Sequence, residues 1–257
     1  MLTHRVIACL DVDAGRVVKG TRFESLREHG TPAAMAAQYE REGADEIVFL
    51  DITASVHARQ TVLHEVRLTA DELAIPLTVG GGVRSVDDMA ATLRAGADKV
   101  ALNTAAVATP ELLTEAAAQF GSQCVVLSID ARRDRDHWVV VTHGGRAVTT
   151  LDAIAWARRA EALGAGEVLV TSIDRDGTRT GYDLALTQAI ATAVSVPVIA
   201  SGGAGEPAHL AAALTNGADA VLVAGMLHRG EQTVTGLKHY LAAVGVPVRG
   251  IKDPAYA

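Results

Sequence analysis

IPLTVGGGVRSVDDMAATLRAGADKVALNT, residues 75–104, returns in altered form as VPVIASGGAGEPAHLAAALTNGADAVLVAG, residues 196–225. Pro76 falls on Pro197, Gly81 on Gly202, Gly82 on Gly203, Gly96 on Gly217 and Asp98 on Asp219, each at a shift of 121. The same shift carries GADEIVFLDIT, beginning at Gly43, onto GAGEVLVTSID, beginning at Gly164, and a shift of 119 carries Asp11 onto Asp130. The chain reads as two similar halves, about 1–120 and 121–257.

Within each half, short Val/Ile/Leu runs such as RVIACL, EIVFL, LTVG and KVALN alternate with amphipathic stretches of helical length. Near-continuous apolar runs are the mark of parallel strands covered on both faces. Strands are expected near 5–10, 46–50, 77–80, 99–103, 124–129, 167–171, 197–201 and 219–224, with an extra hairpin at 137–148 in the loop after the fifth. Eight βα units point to a closed (β/α)8 barrel of the triosephosphate isomerase (TIM) type rather than an open doubly wound sheet. At 257 residues, 49% hydrophobic and 21% charged, the chain suits one such domain.

Composition excludes several classes of partner. The net charge is -7 and no basic cluster tracks a nucleic acid backbone. No signal-like leader and no apolar run of about 18 residues is present, so a cytoplasmic protein with no membrane partner is expected. Cys9 and Cys124 sit in apolar runs without CxxC spacing and read as buried thiols. No cofactor and no metal is called for; a pair of carboxylates without a neighbouring His or Cys makes a poor transition-metal site.

Chemistry in such barrels gathers at the carboxyl ends of the strands. There, Gly80, Gly81 and Gly82 end the third strand, and Ser201, Gly202 and Gly203 end the seventh. Each run leads into a helix whose first-turn N–H groups can hold an anion. One glycine pair can simply permit a tight turn, whereas two at corresponding strand ends suggest a ligand with a phosphate at each end. Asn103 and Thr104 end the fourth strand, Ala224 and Gly225 the eighth, and Asp176 with Gly177 extends the second cradle. Asp11 and Asp130 end strands one and five, which face each other across an eight-stranded barrel. By strand alternation Asp11 shares a face with Arg5, Ile7 and Cys9, and Asp130 with Cys124, Val126 and Ser128, so both carboxylates should point into the mouth. Two facing acids, one protonated and one ionised, can divide general acid and general base work. Lys19, in a long loop at 12–30, is placed to close over substrate.

These stretches, with ACLDVDAGRVVKG, VFLDITAS, LSIDARR and GAGEVLVTSIDRDGT, make the chain resemble, over essentially its whole length, the cyclase subunit family of imidazole glycerol phosphate synthase, from histidine biosynthesis. The resemblance implies a lyase that uses ammonia to convert a phosphoribulosyl formimino aminoimidazole carboxamide ribotide, a small bisphosphate substrate, into imidazole glycerol phosphate and aminoimidazole carboxamide ribotide. It implies Asp11 and Asp130 as the catalytic pair with Lys19 above the substrate. Gly82, Asn103 and Thr104 would hold one phosphate; Asp176, Gly177, Gly203, Ala224 and Gly225 would hold the other. Asp51, Thr171 and Ser201 would line the space between.

The family takes its ammonia through a channel from a glutaminase subunit that docks, as a heterodimer, on the amino-terminal face of the barrel. Neither cysteine here has the exposed elbow setting of a glutaminase nucleophile. Arg5, Glu46, Lys99 and Glu167 begin strands one, two, four and six, a ring of zero net charge that the resemblance makes the ammonia gate. Asp98 and Gln123 fall on the same face as partner-surface candidates. The chain departs from the family's usual pattern at Ala8, Gly144 and Gly225, the last removing a hydroxyl expected at the second phosphate. The sister isomerase of the pathway shares the half-barrel repeat and both aspartates; DITAS at 51–55 and the charged ring favour the cyclase. An ammonia-using paralogue of another pathway, and a binding-only barrel, are the remaining readings.

Overall fold

A computed structural model describes residues 3–21, 24–52, 54 and 62–250, without the side chains of 19–29. Eight parallel strands form the centre: β1 (Arg5–Asp13), β2 (Glu46–Asp51), β3 (Leu77–Gly80), β4 (Lys99–Leu102), β5 (Val125–Asp134), β6 (Glu167–Ser172), β7 (Val198–Ser201) and β8 (Ala220–Val223). They pair in chain order, β8 pairs β1, and β5 pairs β6, so the sheet closes on itself. This is the (β/α)8 barrel expected from the repeat. In the closed order β1 and β5 stand four strands apart, on opposite sides.

Strand alternation sorts the side chains into two populations. Ile7, Cys9, Val48, Ala101, Val126, Leu169, Ile199 and Leu222 fill the barrel. Their neighbours in sequence, such as Val6, Ala8, Leu10, Ile47 and Phe49, face the helices and pack with Tyr39, Leu210 and Leu237. Val125, Leu127, Ile129 and Val168 do the same around Trp156 and Leu113. The helices present matching apolar stripes and carry ordinary end signals. The helix Val86–Arg94 begins at Ser85, whose Oγ accepts the Asp88 N–H at 3.1 Å, and has acids in its first turn and Arg94 in its last.

The repeat extends to backbone angles. Asn103 and Ala224, 121 apart, have φ/ψ of -123/-86 and -131/-78, each immediately before a short helix, Thr104–Ala108 and Gly225–His228. At the amino ends, Asp45, Asp98 and Asp219 each follow a Gly-Ala pair and clasp the first part of a neighbouring strand. Their N–H groups donate to the carbonyls of Val6, Leu77 and Val198, while a carboxylate oxygen of each accepts the same residue's N–H at 2.8 Å. The corresponding fourth place holds Gly166, where a Cβ would lie 2.2 Å from the Ser122 carbonyl oxygen.

Three expectations need correction. The segment after β1, read as a loop, forms antiparallel strands Arg16–Thr21 and Glu24–Gly30; Val17 pairs back on Val12, so the strand simply continues past the barrel rim. The hairpin does not interrupt a loop but extends β5: Asp130–Asp134 pairs antiparallel with His137–Thr142, which pairs in turn with Ala147–Asp152. Cys124 closes a 3-10 turn that follows Gly121 and is only partly buried, whereas Cys9 is buried as expected.

Candidate active site

Two cavities open at the carboxyl ends of the strands and share Leu50, Ser128 and Asp130. The larger, about 420 Å³, is lined by Asp51, Gly82, Asn103 and Thr104; the smaller, about 100 Å³, by Asp11, Thr171, Asp176, Gly177, Ser201, Gly203, Ala224 and Gly225. Every substrate-site residue expected from sequence, apart from Lys19, lines one of them. Lys19 lies on the ribbon strand Arg16–Thr21, and its side chain is outside the described residues.

Register explains the convergence. Asp130 on β5 pairs Thr171 on β6, which pairs Ser201 on β7, so three polar side chains stand at one height around the mouth. Across the barrel Asp11 ends the inward-facing series of β1, with the Cys9 thiol donating to its Oδ1 at 3.4 Å. Asn103 Nδ2 donates to Asp130 Oδ2 at 2.9 Å and to the Val141 carbonyl at 3.2 Å. Burial, the nearby Asp176 carboxylate and, less strongly, Asp11 push the Asp130 carboxyl up to about 7, against the lowering effect of the Asn103 bond. A carboxyl poised near neutrality can give or take a proton at physiological pH.

The cradles are built from backbone that tolerates no side chain. At Gly81, φ is +91° and a Cβ would lie 2.0 Å from the Asp51 carbonyl oxygen; at Gly203, φ is +104° and a Cβ would lie 2.2 Å from the Gly181 carbonyl oxygen. The hairpin turn reaches the first cradle, where the His143 N–H donates to Thr104 Oγ1 at 3.0 Å. Asp51 is buried and its Oδ1 accepts the Ala54 N–H at 3.1 Å, shaping the turn after β2 as well as lining the cavity.

Sequence reasoning missed the cations. Arg84 lines the larger cavity, and Arg179 and Arg229 line the smaller. All three come from loops or helix ends, where no periodicity marks them; only the closeness of Arg84 to Gly82 in GGGVR was a signal. Among the described residues, no group of three or more His, Cys, Asp or Glu could hold a metal ion.

At the opposite end, Arg5, Glu46, Lys99 and Glu167 form a closed ring of alternating charge. Arg5 Nη1 donates to Glu46 Oε2 at 2.7 Å and Arg5 Nη2 donates to Glu167; Lys99 Nζ reaches Glu46 Oε2 at 2.9 Å and Glu167 Oε2 at 2.8 Å. Thr78 Oγ1 adds a bond to Glu46 Oε1 at 2.6 Å. Burial works against the Arg5 charge, but Glu167 and Glu46 outweigh it and hold the guanidinium pKa above its ordinary value. Asp98 and Gln123 are exposed near this end, and the Asp98 carboxylate also serves the Leu77 clasp.

The family model described as "Histidine biosynthesis protein" matches residues 5–233. The chain is 62% identical over 252 residues to the "Imidazole glycerol phosphate synthase subunit HisF" of Myxococcus xanthus (strain DK1622), an alignment covering 98% of this chain and 100% of that protein. Among the described residues no helix is long and apolar enough to cross a membrane.

Proposed function

From the premise that this chain belongs to the histidine biosynthesis protein family, we propose the site-level chemistry of an imidazole glycerol phosphate synthase cyclase. The activity is that of the synthase subunit: ammonia and the bisphosphate carboxamide ribotide yield imidazole glycerol phosphate and aminoimidazole carboxamide ribotide. The observation that carries the site reading is Asp130, at the junction of the two cavities and on the strand opposite the one that carries Asp11.

The bisphosphate spans the mouth with one phosphate on Gly82, Asn103 and Thr104 and the other on the Asp176–Gly177 turn, Gly203, Ala224 and Gly225. Its reacting centre then lies between Asp11 and Asp130, with Asp51, Thr171 and Ser201 beside it. Forming a C–N bond from ammonia requires a proton to leave nitrogen and another to reach the departing group. Asp11 exchanges protons in ring closure, and Asp130, whose carboxyl is half-protonated near neutrality, serves release of the carboxamide product. A glutaminase partner on the amino-terminal face supplies ammonia, and the Arg5–Glu46–Lys99–Glu167 ring controls its passage into the barrel.

The test is turnover of the bisphosphate ribotide by the purified chain in excess ammonium salt at mildly alkaline pH. Activity that disappears in Asp11→Asn while the ligand still binds supports the assignment. Activity retained in that variant removes Asp11 from the mechanism.

A further inference from the structure

The second cradle contains a charged group that the backbone argument did not require. Gly225 opens the short helix that follows β8, and Arg229 follows its last residue. One helical turn separates them, and the Arg229 N–H donates to the Gly225 carbonyl at 3.2 Å. The Arg229 side chain, 37% exposed, turns back along the helix toward Gly225. A Cβ built on Gly225 would lie 2.7 Å from Arg229 Nη1, so a side chain at 225 would displace the guanidinium from this position.

Glu231 fixes that pose. Its Oε1 accepts Arg229 Nε at 2.8 Å and its Oε2 accepts Arg229 Nη2 at 3.1 Å, a two-point fork on one edge of the guanidinium. Nη1 has no hydrogen-bond partner among the described residues, and it is the nitrogen nearest Gly225. The same carboxylate accepts Arg179 Nη2 at 2.7 Å, so Glu231 ties together two arginines that line the cavity from different loops. Two guanidinium charges against one carboxylate leave this rim with a surplus of one positive charge. It lines the same cavity as Gly177, Gly203 and Asp176, whose charge would otherwise disfavour an anion.

We propose that Arg229, oriented by Glu231 and seated over Gly225, contacts the phosphate of the second cradle and thereby positions that end of the bisphosphate. The guanidinium supplies through space the donor that a side chain at 225 would supply directly, and Gly225 is the residue that leaves it room. The proposal deepens the bisphosphate reading and rests on it.

Inorganic phosphate titrated into the full chain, with amide shifts of Gly203 and Gly82 read separately by NMR, tests both. In the parent chain both glycines should titrate. Arg229→Ala should raise the apparent Kd at Gly203 about tenfold, the loss of one charge-assisted hydrogen bond, and leave the Gly82 curve unchanged, which also reports an intact barrel. Arg229→Lys should recover part of the loss, and Gly225→Ser should improve binding only in the Arg229→Ala background. Equal Gly203 curves for the parent and Arg229→Ala would overturn the role of Arg229 while leaving the cradle in place. No response at either glycine in the parent would overturn the bisphosphate reading and this proposal with it.

Discussion

Asp130 holds its proton far above the ordinary carboxylate range, to about 7, because burial and the neighbouring Asp176 carboxylate disfavour its charge more than Asn103 favours it. In the unfolded chain the same group titrates near 4. Between these values the folded state binds more protons, so this group's contribution to stability falls as pH rises from about 4 to about 7, and the penalty is complete above that. Asp130→Asn removes the penalty. In urea unfolding it should match the parent near pH 4 and be more stable at pH 8 by about 1–3 kcal/mol, a range reduced for partial contact with the cavity. A variant less stable than the parent at pH 8 would mean that Asp130 is ionised and satisfied in the folded chain. On the proposed mechanism activity should move the other way, since the poised carboxyl is lost with the cost of holding it.

At the scale of elements, Asp98 serves the barrel itself, whatever else meets it. Its carboxylate accepts the Leu77 N–H at the start of β3, as Asp45 and Asp219 do for Val6 and Val198. Asp98→Ala leaves that N–H without its acceptor and should lower the stability of the isolated chain by about 1–3 kcal/mol in urea unfolding. Unchanged stability with weakened glutaminase binding would make it a partner contact alone. The eight strands and the glycine turns that follow two of them were legible because repetition and apolar runs are properties of consecutive residues. The ribbon at Arg16–Gly30 was not, since its pairing depends on β1 continuing beyond the rim, where RVVKG reads equally well as loop. Arg84, Arg179 and Arg229 were hidden for a related reason: a loop cation looks the same in sequence whether it meets solvent or a cavity. The Asp98 clasp lay within the repeat, but only the register makes its carboxylate a partner for Leu77.

For the whole molecule, the floor and the mouth are separate stations on one axis. The side chains of Arg5, Glu46, Lys99 and Glu167 are 13%, 2%, 18% and 8% exposed, so the ring is a mostly buried plug and not a set of solvated strand ends. Lys99→Ala cuts two of its links. If the ring gates ammonia as proposed, in the complex with a glutaminase it should change glutamine-driven turnover several-fold more than ammonium-driven turnover of the same preparation, because added ammonia would not be confined to that axial route. Equal changes would assign the ring to stability. The two cradles also belong to different halves of the repeat: Gly82, Asn103 and Thr104 to the first, Gly177, Gly203 and Gly225 to the second. A bisphosphate held by both is a bivalent guest. On the proposed reading each end alone would be a weak anchor, but once one is seated the other would be presented to its cradle at high effective concentration, so affinity would come from the span between the halves more than from either phosphate. The bound molecule would then act as a tie-rod across the seam of the repeat, and a half-barrel on its own would have only one end of it to hold.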